Sequence, residues 1–105
     1  MQPIVVFITA GNDDEAQKIS NHLVAQKLVA CCNIVSPIQS IFFWKGNVCN
    51  ENEVLIIAKT ELSRFSHLIT EVKKLHSYET PEIIALPIID GLDDYLNWIE
   101  TETTV

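Results

Sequence analysis

Three short segments of the chain are apolar at every position: residues 4–8, 55–58 and 83–86. In an antiparallel sheet with one face in water, a strand alternates apolar and polar residues, because neighbouring side chains point to opposite faces. Segments without that alternation predict strands whose two faces are both covered. Two helices can cover only one face, so this feature limits the folds that the chain can adopt.

The order of the predicted elements defines the fold class. They are a strand over 3–9, a helix over 12–27, a strand over 29–35 resumed over 38–44, a returning strand at 48 and 53–59, a helix ending near 75, a strand over 83–86 and a short final helix from 93. This order predicts an α+β, ferredoxin-like βαββαβ sandwich with a long bent hairpin and an extra C-terminal helix. We treat residues 1–105 as a single domain. Since the final helix is short, we expect another copy of the chain to cover the second sheet face.

Local signals mark the ends of the helices. Asn12 is predicted to cap the first helix with Glu15 three residues later, and Thr60 is predicted to cap the second. His22 lies on the flank of the first helix, where we expect it to be solvated. Residues 101–105 carry no clear signal and are expected to fray.

Charge and composition exclude several classes of partner. The formal net charge of -7 and the pI of about 4.7 repel nucleic acid and anionic lipids but favour cations. Apolar runs fall far short of the roughly twenty residues that span a bilayer, and no basic signal segment is visible. Three cysteines without CxxC spacing indicate reduced thiols, and the adjacent Cys31 and Cys32 are interpreted as two small buried hydrophobic residues. We therefore expect a cytoplasmic protein without nucleic acid or membrane partners.

The sequence predicts a site at a corner formed by residues 75–82, between the second helix and the last strand. Pro81 stiffens this corner, which carries His76, Tyr78, Glu79 and Glu82. One imidazole and two carboxylates form a mixed set that suits copper or zinc if a neighbouring subunit adds a ligand. On residue chemistry alone, the favoured alternative is that His76 and Glu82 satisfy backbone groups.

Signatures of common enzymes are missing. The sequence has no GxGxxG, GxxxxGK[ST], HExxH or GxSxG motif, and nothing locates a histidine near a cysteine. Lys59, at the end of the third strand, is expected to pair with a corner carboxylate, and the alternative is that it receives an anionic ligand. We therefore do not expect an enzyme.

Five segments together identify the chain as similar to a known family. They are LVACCNI at 28–34, SIFFWKG at 40–46, 53–60, HSYETPEIIALP at 76–87 and YLNWI at 95–99. The chain resembles the CutA family, the divalent-cation tolerance proteins, over nearly its whole length. The resemblance implies a ferredoxin-like subunit in a homotrimer similar to the nitrogen-regulatory PII proteins.

The resemblance also implies a function in the tolerance of copper and other divalent cations, with no established reaction and no obligatory cofactor. In bacterial members a copper site is attributed to a cysteine ending the first strand and to two successive histidines before the corner. Here those positions hold Ile8, Leu75 and His76. A single imidazole does not hold copper selectively, so we expect a modest-affinity site at His76, Glu79 and Glu82.

Two further hypotheses stand beside this one. The first is a PII-like signalling module that binds a small metabolite or partner protein in clefts between subunits, near Trp44, Lys59, Tyr78 and Glu82. The second is a stable trimeric scaffold for another function.

Overall fold

The computed structural model describes residues 1–104. Its elements are β1 (Pro3–Ala10), α1 (Asp13–Ala25), β2 (Cys31–Trp44), β3 (Asn47–Glu61), a 3-10 turn (Leu62–Arg64), α2 (Phe65–Leu75), β4 (Ile83–Pro87) and α3 (Asp93–Thr103). This is the predicted order of strands and helices. None of the helices in residues 1–104 combines the length and apolar character that a membrane crossing needs.

The four strands form one antiparallel sheet in the order β2-β3-β1-β4. In this sheet Ile8 lies opposite Ile56 on β3 and Ile83 on β4. Residues opposite one another share a sheet face, so the register shows which side chains of each apolar strand lie on which face of the sheet. The predicted ferredoxin-like α+β fold is confirmed.

One sheet face forms the hydrophobic core beneath α1 and α2. The fully buried members of this core include Val6, Ile8, Leu23, Ile56 and Leu68. Apolar residues recur at helical spacing on α2, with Phe65 and Leu75 packed against the same core. We call this side of the sheet the covered face.

The other sheet face is only partly covered. It carries Ile84 and Leu86 of β4, which remain 49% and 48% exposed, and α3 contacts the strands β3 and β1. Tyr95 of α3 also reaches Cys31 on this face. The final helix alone therefore leaves apolar surface exposed, and we call this side the open face.

The strands β2 and β3 extend beyond the sheet as a two-stranded arm. Their register shifts between Val35 and Ile38, at the cis Ser36–Pro37 bond, which confirms the predicted bend. The turn at the tip has positive φ at Lys45 and at Gly46 (+82°), a conformation that glycine adopts without strain. Contrary to the prediction, β3 runs unbroken through residues 49–52.

Three local predictions were wrong. Thr60 does not cap α2: it is fully buried in β3 and donates to the Leu28 carbonyl at 2.7 Å, and the 3-10 turn separates it from the helix. His22 is not simply solvated, because its Nε2 lies 2.9 Å from Glu71 Oε1 on α2. Residues 101–103 do not fray, because they continue α3, where the Thr103 side chain donates to the Ile99 carbonyl. Val105 lies outside the described residues.

Candidate functional site

The corner at residues 76–82 begins where α2 ends and lies over the end of β1. The His76 amide donates to the Val72 carbonyl at 2.9 Å, and the chain then turns extended, which stops the helix. Pro81 precedes β4, whose first residue, Ile83, pairs with Ile8. The ends of two neighbouring strands and one helix therefore fix the corner.

The side chain of His76 is wholly buried, and both of its ring nitrogens are engaged. Nε2 lies 2.6 Å from the Thr9 carbonyl oxygen, and Nδ1 accepts from the Tyr78 amide at 3.0 Å. Because a carbonyl can only accept, Nε2 carries the proton and Nδ1 is the acceptor. The alternative that His76 satisfies backbone groups at the corner is confirmed.

Glu15 links α1 to the corner. Its Oε1 accepts from the Gly11 amide at 3.3 Å and lies 3.6 Å from His76 Nδ1. Burial acts to raise the pKa of Glu15, but hydrogen bonds from Ser77 and Gly11 outweigh it, and the pKa falls below its usual value. The predicted Asn12 cap is confirmed, with the Glu15 amide donating at 2.9 Å.

Tyr78 connects the corner to the base of the arm. Its hydroxyl donates to Glu53 Oε2 at 2.7 Å, and Glu53 is only 6% exposed. Burial, followed by this bond and the charge of Glu53, raises the pKa of Tyr78 above its usual range. The Tyr78 hydroxyl would lie 3.3 Å from a Cβ at Gly11, so Gly11 permits this close approach.

The two corner carboxylates face solvent. Glu79 lies 3.9 Å from Lys45 at the arm tip, and both side chains are largely exposed, so this ion pair contributes little. Glu82 is also exposed. Within residues 1–104 no three His, Cys, Asp or Glu side chains are arranged to hold a metal ion. One chain therefore does not bring His76, Glu79 and Glu82 together as a closed metal site.

The predicted cleft residues also lie apart within one chain. Trp44 pairs with Asn47 at the arm tip, and Lys59 lies twelve residues further along β3, which places them roughly 40 Å apart at the rise of a strand. Tyr78 contacts β3 between them, at Glu53. Lys59 does not pair with a corner carboxylate, because its Nζ donates to Asn33 Oδ1.

Sequence reasoning missed Thr9 and Glu53 as partners of the corner, and it gave Glu15 only a capping role. Glu53 was detectable in principle, because it is an acidic residue that directly precedes the apolar run of β3. A buried acid in that position needs a donor, and Tyr78 supplies it. Thr9 contributes only its backbone carbonyl, so its residue type gives no sign of this contact in the sequence.

Comparison with known proteins shows matches along nearly the whole chain. The family model described as CutA1 divalent ion tolerance protein matches residues 4–102. The divalent-cation tolerance protein CutA of Thermus thermophilus is 42% identical over 99 residues, which is 94% of this chain and 96% of that protein. The chloroplastic protein CutA of Arabidopsis thaliana is 43% identical over 100 residues, covering 95% of this chain but 55% of that protein. The chain thus spans about half the length of this plant relative.

Solved structures also match nearly the whole chain. A divalent cation tolerance protein from Thermus thermophilus matches with a TM-score of 0.95 at 41% identity, covering 97% of this chain and 99% of that one. The periplasmic divalent cation tolerance protein CutA of Archaeoglobus fulgidus matches with a TM-score of 0.94 at 40% identity and the same coverage. The family model, the relatives and the solved structures all lead to one conclusion: this chain belongs to the CutA family.

Proposed function

We propose that this protein serves in the tolerance of divalent cations, copper among them, by binding or responding to the ions without catalysing a reaction. The observation that carries the proposal is the match of residues 4–102 to the divalent ion tolerance family. The net charge of -7 supports it, because an acidic surface attracts cations. We place the protein in a reducing compartment, the cytoplasm, because its three cysteines are free.

The cation site that we propose lies at the corner and uses Glu79, Glu82 and, where it opens, His76. The two carboxylates face solvent, so an ion can reach them. His76 can add Nδ1 only if the Tyr78 amide is displaced from it. One chain supplies too few free donors, so the site is completed by another subunit and binds with modest affinity.

A metal titration tests this proposal. In chelator-free buffer, calorimetry with copper or zinc should show binding that the double variant Glu79→Gln, Glu82→Gln weakens by about tenfold or more, as expected when groups that form a metal site are lost. The matched control is Glu100→Gln, Glu102→Gln, which changes the net charge equally on α3. Equal affinities for the two double variants, or no binding by the unaltered protein, would refute the corner as the cation site.

We also propose that the working form is a homotrimer in which the open face is buried against other copies. The half-exposed Ile84 and Leu86 support this, because a stable interface needs about 800 Å² of such surface per partner. Native mass spectrometry should show a trimer for the unaltered protein and its loss in Leu86→Glu, since a buried unpaired charge is costly. A trimer that persists in Leu86→Glu would place the interface elsewhere.

A regulatory module of the PII-like type is the second candidate. The observation that favours it is the separation of Trp44 from Lys59, because a cleft that includes both can form only between subunits. In a thermal-shift screen, a bound metabolite should raise the melting temperature, and Trp44→Ala should abolish the shift. A shift that survives Trp44→Ala would place the ligand outside such a cleft.

A further inference from the structure

A groove lies at the end of the sheet opposite the corner, where β1 begins and where β3 and β4 end. Its middle is held in place by two backbone bonds: the Leu62 amide donates to the Gln2 carbonyl at 2.9 Å, and the Ile88 amide donates to the Pro3 carbonyl at 3.0 Å. Two adjoining cavities, of about 560 Å³ and about 610 Å³, share Met1 and Gln2 as lining residues. Each has the volume of a small-molecule site. We call the two cavities together the end groove.

One face of α3 forms a wall of the end groove. The residues of α3 that line the two cavities recur at the spacing of a single helix face, and they are Asp93, Leu96, Asn97, Glu100 and Thr104. Tyr95, which reaches Cys31 on the open face, lies on the opposite side of the helix together with Trp98. The end groove therefore faces away from the sheet surface that we propose is buried between subunits.

The lining of the end groove combines apolar side chains with carboxylates. Ile89 is 95% exposed and Leu62 is 55% exposed, so the groove leaves apolar surface in contact with water. The charged side chains of the lining are Glu61, Asp93 and Glu100, and within residues 1–104 no Lys, Arg or His side chain lines either cavity. By charge complementarity, a matching ligand is a cation that also carries apolar groups.

We propose that the end groove binds a linear aliphatic polyamine. Asp93 and Glu100 are seven residues apart, which is about 10 Å along the helix axis, and Leu96 lies between them on the same face. One terminal ammonium group would bind Asp93, and the other would bind Glu100 and Glu61 in the second cavity. The methylene groups between them would pack on Leu96. The site shares no residue with the corner and does not rest on the cation role.

Spermidine is a suitable probe, because its terminal ammonium groups reach this separation in the extended chain. Calorimetry at an ionic strength of about 0.15 M, where distant surface charges are largely screened, should show saturable binding of one spermidine per chain. The shorter 1,3-diaminopropane cannot reach both Asp93 and Glu100, so it should bind about tenfold more weakly or less tightly still. Magnesium at the same concentration should not displace spermidine, because a compact ion does not span the two cavities.

Variants of α3 assign the contacts. The double variant Asp93→Asn, Glu100→Gln should weaken spermidine binding by about tenfold or more, because bonds between charged groups are lost. The matched control is Asp94→Asn, Glu102→Gln, which removes the same two charges from the same helix, one of them again from its first turn, but off the groove face. It should leave the affinity unchanged. Leu62→Asn should weaken binding about threefold, because an apolar contact is lost. If the first double variant does not fold by circular dichroism, Glu100→Gln is compared with Glu102→Gln.

Three results would overturn the proposal. Equal spermidine affinities in the two double variants would show that the acidic protein attracts a polycation without a site. Equal affinities for spermidine and 1,3-diaminopropane would show that the spacing of Asp93 and Glu100 is not read. A titration without saturable heat would mean that the groove does not bind the polyamine in the assembled protein, including the case in which a neighbouring subunit covers it. None of these results affects the metal titration at Glu79 and Glu82, so failure here is distinguishable from failure of the cation role.

Discussion

On one face of the sheet Val6, Ile8 and Ile56 are completely buried, whereas on the other Ile84 and Leu86 keep about half of their surface exposed. Both sets come from strands of one sheet, and Ile84 is only one position along β4 from Ile83, which pairs with Ile8 on the covered face. α1 and α2 seal the first face, and α3 shields only part of the second. The strands are therefore apolar on both faces of the sheet, but the helices of one chain cover only one of these faces completely.

The polar groups at the corner also differ from those on the open face. At the corner the polar groups bond within the chain, as His76 does to the Thr9 carbonyl and Tyr78 does to Glu53. On the open face Lys59 has only a neutral partner. Residue types that look reactive in the sequence are thus structural where their bonding is complete.

The largest expected effect is at the centre of the covered face. Ile56→Ala should lower the free energy of unfolding by about 2–5 kcal/mol, because it leaves a cavity in a closed core. Leu86→Ala on the open face should cost about half as much or less, since half of its side chain is already exposed. Urea denaturation of both variants measures the difference. A larger loss at Leu86 would show that the open face becomes the better-packed one on assembly.

A neighbouring pair of residues tests the two faces more sharply. Thr60 is fully buried on the covered face and donates to the Leu28 carbonyl, whereas Lys59 points to the open face. Thr60→Val keeps the shape but leaves that carbonyl unpaired, and it should cost about 1–3 kcal/mol. Lys59→Met should be nearly neutral or stabilising. A destabilising Lys59→Met, measured by the same denaturation, would mean that Lys59 has a structural partner in the assembled protein.

At the corner, Tyr78→Phe should cost about 1–3 kcal/mol, because it leaves the Glu53 carboxylate, which is only 6% exposed, without its donor. The matched control is Tyr95→Phe, whose hydroxyl contacts only the Cys31 thiol, a weak partner. Thermal unfolding of the two variants compares them. Equal melting temperatures would mean that the Tyr78–Glu53 bond does not hold the corner in place.

Much of the fold was predictable from local sequence. The order of elements, the Asn12 cap and the apolar spacing of α2 depend on residues within a few positions of one another, and these predictions are confirmed. The strands without apolar–polar alternation indicated that the second sheet face needs a cover, and the half-exposed Leu86 agrees with that expectation.

The contacts that define the site were not predictable in the same way. His76 bonds to a carbonyl 67 residues away and Thr60 to one 32 residues away, and a carbonyl has the same chemistry at every position of the chain. Tyr78 and Glu53 are 25 residues apart and meet only once the arm has formed. Such pairings depend on strand register, which single residues do not encode.

The smallest effect concerns the contact that joins the two helices of the covered face. Glu71 on α2 bonds to Lys74 at 2.9 Å and to His22 of α1 at 2.9 Å, and these bonds, in that order, lower the pKa of Glu71 from 4.5 to about 2. A carboxyl whose pKa is depressed in the folded state stabilises the protein above its unfolded pKa. That contribution is lost as the pH falls from about 4.5 towards 2. In urea denaturation, Glu71→Gln should therefore lose less stability over this pH range than the unaltered protein does. The matched control is Glu100→Gln on α3, which removes the same charge away from the helix contact and should lose as much stability as the unaltered protein. Identical pH profiles for the two variants would show that the covered face does not depend on this contact.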